Sequence, residues 1–157
     1  MELIAFGSLT ANKDAYAEVY TDFATHWNAK KLLSRLERIH PEFYPKPVEF
    51  GPSDDKRTHH FQYVQDGFLT RDEFVMLYKR CSEVLHARNP FQLPTTIKFE
   101  RTMQEWVTRI QRLLSVHMMR LAGSGHVWVV QMQYPDDGKV HTALAEPLDK
   151  AISSDQE

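Results

Sequence analysis

Histidine is the enriched catalytic residue type in this chain, eight among 157 residues. An imidazole titrates close to neutrality and can take or give a proton at physiological pH. Arginine supplies the complementary chemistry, because its guanidinium stays charged and forks onto phosphate oxygens. Four Arg/His pairs stand five or six positions apart: Arg35 with His40, Arg80 with His86, Arg112 with His117, and Arg120 with His126. One member of such a pair would hold a phosphodiester while the other exchanges a proton beside it. Arg80/His86 is the first choice as a catalytic pair and Arg112/His117 the second. His117 lies in the middle of an apolar stripe, where a satisfied core histidine competes with a catalytic one. His86 flanks its stripe and falls in the last turn of a helix expected over 70–88, where the dipole favours the protonated form and an acid role.

Arg80 to His86 reads Arg-x5-His and resembles the motif of the HEPN domains. The resemblance covers at most residues 13–121. It implies a helical bundle, and for many members a metal-independent ribonuclease in which two subunits join their Arg and His residues in a cleft at the dimer interface. By carry-over, Arg80 would hold the scissile phosphate and His86 would handle the proton of the ribose 2′-hydroxyl. Geometry agrees with the need for a homodimer: on one helix, residues six apart lie about 120° around and about 9 Å along the axis, too far to close on one phosphate. Other branches of the family cut no RNA and act as interaction or regulatory modules, so a protein partner is the competing expectation to an RNA substrate of toxin or defence type.

Basic residues cluster locally. Lys30, Lys31, Arg35 and Arg38 outnumber Glu37 within 28–40 and form the candidate nucleic-acid-binding face. Lys98, Arg101, Arg109, Arg112 and Arg120 likewise outnumber Glu100 and Glu105. Such faces could follow a phosphate backbone, although long basic stems also cover core as ordinary solvated faces. His59 and His60 stand near Asp54 and Asp55, but adjacent side chains of an extended segment point oppositely. Neither a metal nor a cofactor is expected, and phosphate-binding glycine loops, dinucleotide fingerprints, His-Glu-x-x-His and Gly-x-Ser-x-Gly are all missing from the sequence.

These residues need elements to position them. Ala15, Tyr16, Val19, Phe23 and Trp27 recur at helical spacing after Asn12, a possible cap, giving a helix from 13 to about 26 that continues, or restarts at Asn28, to about 40. From 41 to 69, Pro41, Pro45, Pro47 and Pro52 alternate with aromatic residues in an extended strap, the place to look for a lid or a partner surface. Thr70 and Glu73 form a capping box for the helix over 70–88. Phe99 through Leu121 carry the strongest helical period, stopped at Gly123. Residues 126–146 alternate as a β-hairpin about Pro135–Gly138. A four-residue loop pairing Tyr134 with Lys139 would put Trp128, Val130 and Met132 on one face with His141, Ala143 and Ala145. The hairpin edge is a second candidate partner surface.

The expected fold is therefore mainly α: about four helices in a bundle, a proline-rich strap and a C-terminal hairpin. It forms one domain over 1–146, followed by a disordered acidic tail over 147–157. The composition fits this, with 42% hydrophobic and 25% charged residues, which excludes disordered and low-complexity classes. A net charge of −2 excludes the global basicity of a protein living mainly on nucleic acid. One cysteine, Cys81, forms no internal disulfide and fits a reducing compartment. The sequence has neither a membrane-length apolar run nor a signal-peptide pattern at Met1, so a cytoplasmic location is expected and a membrane is not.

Overall fold

The computed structural model describes residues 2–19, 29–52, 59–85, 96–123 and 125–145. In chain order these form α1 (Glu2–Ala11), α2 (Lys13–Val19), α3 (Ala29–Ile39), β1 (Lys46–Phe50), β2 (Phe61–Tyr63), α4 (Arg71–Leu85), α5 (Met103–Ser115), β3 (Val116–Arg120), β4 (Val127–Gln131) and β5 (His141–Ala145). The strands make one antiparallel sheet in the order β2-β1-β3-β4-β5. The architecture is α+β, with three substantial helices beside a five-stranded sheet, and the expected mainly α bundle of four helices is corrected on that finding.

Two segments account for the difference. The expected helix to Leu121 ends at Ser115, and the chain passes straight into β3, which pairs His117 with Pro47 on one side and with Val130 on the other. Leu, Met and Arg favour helix locally, but two flanking strands satisfy the 116–120 backbone in extended form, and tertiary pairing overrides propensity. The strap, expected as an extended segment without a helix, supplies β1 and β2, paired through Val48–Tyr63 and Phe50–Phe61. Pro47 stands in an inner strand because its missing N–H falls where β2 has ended: just beyond Tyr63, the Val64 N–H donates to the Pro47 carbonyl at 3.0 Å.

The hairpin forms with its register moved by one residue. Tyr134 N–H donates to Lys139 O at 2.8 Å as expected, yet the ladder pairs Gln131 with His141 and Trp128 with Leu144. Met132 and Gln133 thus oppose Val140 alone, which is the two-against-one count of a bulge. Met132 N–H bonds to Ser115 O at 3.0 Å, on the β3 side. Trp128 and Val130 consequently share a face with Thr142 and Leu144, not with His141, Ala143 and Ala145.

The core lies among the helices and the ends of the strap. Leu32, Leu33 and Leu36 of α3 meet Phe43 and Leu69 of the strap, Phe74 and Leu77 of α4, and Trp106 and Leu113 of α5, with Ile4 and Tyr16 closing the N-terminal side. The helix at Glu2–Ala11 was outside the expected elements. Asn12 does not cap by its side chain: its amide donates to Ser8 O at 2.9 Å and its carbonyl oxygen accepts from Ala122 N–H at 3.0 Å. Trp27, Asn28 and the expected acidic tail lie outside the described residues. No helix among the described residues is long and apolar enough to cross a membrane.

Candidate functional site

α4 begins where the capping box predicts: Thr70 N–H donates to Glu73 Oε2 at 3.1 Å, and Glu73 N–H to Thr70 Oγ1 at 3.3 Å. This helix carries Arg80, half-exposed and paired with Glu83 Oε2 at 3.2 Å. His86 lies outside the described residues, so the expected Arg80/His86 pair is seen by its arginine alone.

The second pair is not brought together. Arg112 on α5 reaches Glu49 Oε1 at 3.2 Å, while His117 on β3 is only 4% exposed. Its Nδ1 lies 3.0 Å from Leu114 O, so Nδ1–H donates to that carbonyl. Burial pushes the imidazole below its ordinary pKa, against the Leu114 bond that favours the charged form. This is a satisfied core histidine. Of the candidate nucleic-acid face, Lys31 and Arg38 are exposed, and Arg35 Nη1 donates to Tyr16 Oη at 3.4 Å. The side chain of Lys30 lies outside the described residues, as do Asp54 and Asp55 beside His59 and His60.

The residues that do converge on a concave surface belong to the strap. Pro41, Tyr44, Pro45 and Pro47 face Tyr63, Val64, Gln65 and Phe68 across a cleft of about 360 Å³. Glu42 and Lys46 stand at its rim, and the volume is in the range of small-ligand and peptide sites. The three proline rings of the cleft have no rotamer freedom to lose on contact. Tyr44 is pinned by donating to Leu69 O at 3.1 Å, and burial, helped by the Glu73 carboxylate, pushes its phenol well above the ordinary value against the pull of Arg71.

The rim is an ion-pair cluster. Lys46 Nζ meets Glu42 Oε1 at 2.7 Å, and Arg120 Nε at the end of β3 meets Glu42 Oε2 at 3.2 Å. The Lys46 hydrogen bond, with the charges of Lys46, Arg120 and His40 and against slight desolvation, holds the Glu42 carboxyl below its usual range. His40 Nε2 lies 3.1 Å from Arg120 O and ties the end of α3 to β3. A second cavity of about 10 Å³, bounded by Met118, Arg120 and Val127, shares Glu42, Lys46 and Tyr63 with the cleft.

Sequence reasoning marked the strap as a partner surface but missed Glu42, Lys46 and Arg120 as one cluster. Glu42 and Lys46 at helical spacing inside a proline-rich run were the available signal, whereas Arg120 was read as part of a helix. The other expected partner surface, the hairpin edge, is β5, whose Leu144 is 57% exposed.

No protein-family model matches the chain, and neither a curated protein nor a solved structure matches it.

Proposed function

We propose that this chain is a protein-interaction module that holds an extended segment of a partner in the 41–68 cleft. The observation that carries the reading is that one stretch of chain builds both walls of the cleft from proline and aromatic rings. Grooves lined in this way recur where extended peptides are recognised, because preformed apolar walls accept a chain already poor in conformational entropy. Tyr63, 53% exposed at the end of β2, is the accessible anchor. The half-buried thiol of Cys81 fits a reducing compartment, and we propose a cytoplasmic location.

The test is selection of a random acetylated hexapeptide library on the immobilised protein, read by mass spectrometry. Peptides enriched on wild type and lost on Tyr63→Asp, with unchanged thermal unfolding, support the module. Absence of enrichment on folded wild type removes it.

A second reading is a metal-independent ribonuclease acting across a homodimer cleft, supported by the HEPN resemblance and by Arg80. That guanidinium is half-exposed in an ion pair with Glu83, and surface pairs of this kind are worth little and yield readily to a phosphate. Lys30, Lys31, Arg35 and Arg38 would then lie along the RNA. Cleavage of mixed RNA in excess chelator by wild type and by His117→Ala, but not by His86→Ala, supports it. Loss of cleavage in His117→Ala alone moves the site to the Arg112/His117 pair, and an inert, well-folded wild type overturns the reading.

A further inference from the structure

We propose, building on the interaction-module reading, that the strap cleft binds the free C-terminal carboxylate of a partner protein, which displaces Glu42 from Lys46 and Arg120. The present arrangement is already a carboxylate held between two cations, one oxygen on Lys46 Nζ at 2.7 Å and the other on Arg120 Nε at 3.2 Å. Two cations face one carboxylate, so the rim keeps an excess of positive charge beside apolar walls. A ligand that is apolar along its length and anionic at one end complements both parts.

Glu42 is able to leave. Its side chain is half-exposed, as are those of Lys46 and Arg120, so its release exchanges a solvated surface pair for water and costs little. It lies in the turn between α3 and β1, outside any regular hydrogen-bonded ladder. An incoming carboxylate meets the same two donors with the apolar contacts of Tyr63, Phe68 and the prolines added.

A chain end suits this pair of cations better than a side chain. The second cavity, which shares Glu42, Lys46 and Tyr63 with the cleft, holds about 10 Å³, room for about one water and not for a further residue. A terminal carboxylate carries its charge on the last residue and needs no space beyond it.

The experiment makes the hexapeptide library twice, once with a free C-terminal carboxylate and once amidated, and selects both on wild type, Lys46→Met and Glu42→Gln, each checked by thermal unfolding. The expected result is enrichment from the acid library about tenfold or more above the amidated one on wild type, the ratio that one charge-assisted hydrogen bond confers. That preference disappears on Lys46→Met and strengthens on Glu42→Gln, where the internal competitor has lost its charge. Equal enrichment from both libraries overturns the carboxylate inference and leaves the cleft reading standing. Amidated peptides enriched through an internal Asp or Glu overturn the choice of a chain end. Enrichment from neither library overturns both the inference and the module on which it rests.

Discussion

The Asn12 carboxamide joins α1 to the far end of β3: its oxygen accepts the Ala122 N–H at 3.0 Å across 110 positions of sequence, while its nitrogen donates to Ser8 O at 2.9 Å. The residue is 2% exposed, so both partners depend on it in place of water. Asn12→Ala leaves a donor and an acceptor without their partner, and about 1–3 kcal/mol of stability should be lost. Urea unfolding of the two proteins reads the difference, and an unchanged midpoint would show that water replaces the amide there.

Glu73 does more than cap α4. Its Oε1 receives Arg101 Nη2 at 3.1 Å and its Oε2 receives Arg109 Nη2 at 2.9 Å, from the approach to α5 and from α5 itself. Burial alone would raise this carboxyl, but the Thr70 N–H and the two guanidinium groups outweigh it and hold the pKa below the usual value. Glu73 and Arg109 side chains are each 18% exposed, so solvent screens the pair only partly. Glu73→Ala should cost about 1.5–3 kcal/mol, the range for hydrogen bonds to charged groups, and Glu73→Gln, which retains a capping carbonyl, should cost less. The ordering of the two variants in denaturant is the check.

That cap also shows what the sequence discloses and what it hides. Thr70 and Glu73 are three residues apart, and a contact that local is written in the spacing. Thr102 and Glu105 make the same reciprocal box at the start of α5. It is equally readable, but the apolar stripe beginning at Phe99 drew the expected boundary earlier. The end of α5 is different in kind: whether Val116–Arg120 is helix or strand is decided by β1 and β4, and no local preference reports on those partners. The turn at Pro135–Gly138 was legible, yet a single extra residue at Met132–Gln133 reversed which faces meet. Of the candidate site, the strap could be marked by its prolines. The meeting of Glu42 with Arg120 depends on the sheet order and could not be read in advance.

Gly67 illustrates a backbone position where a side chain is excluded twice. Its φ is +75°, and a Cβ built there would stand 3.0 Å from Arg112 Nη1. The left-handed conformation alone costs a non-glycine residue about 1–2 kcal/mol, and the Arg112 guanidinium must in addition give by a few tenths of an ångström. Gly67→Ala should therefore destabilise by at least that amount. In an Arg112→Ala background the steric part is removed while the backbone part stays, so the cost of Gly67→Ala should shrink without vanishing. A double-mutant cycle on the unfolding free energies separates the two.

His117 should give the protein a stability step near neutral pH. In the folded chain its Nδ1–H is given to Leu114 O at 3.0 Å, and burial lowers its pKa relative to the exposed imidazole of the unfolded chain. Between those two pKa values the unfolded state binds the extra proton, so stability rises with pH through that window. Read downward, the loss begins as pH falls through the ordinary histidine value of about 6.5 and stops once the folded form is also protonated. Glu73 and Glu42 act with the same sign in a separate window, since their lowered pKa values contribute stability that is lost as pH falls through the ordinary carboxylate range and below it. Thermal unfolding of wild type and His117→Gln at intervals from pH 8 to pH 5 distinguishes them. The wild-type midpoint should fall across this range and that of His117→Gln should stay nearly level. Parallel curves would mean that His117 titrates equally in both states, and a wild-type midpoint that rises as pH falls would mean that the folded protein favours the protonated ring.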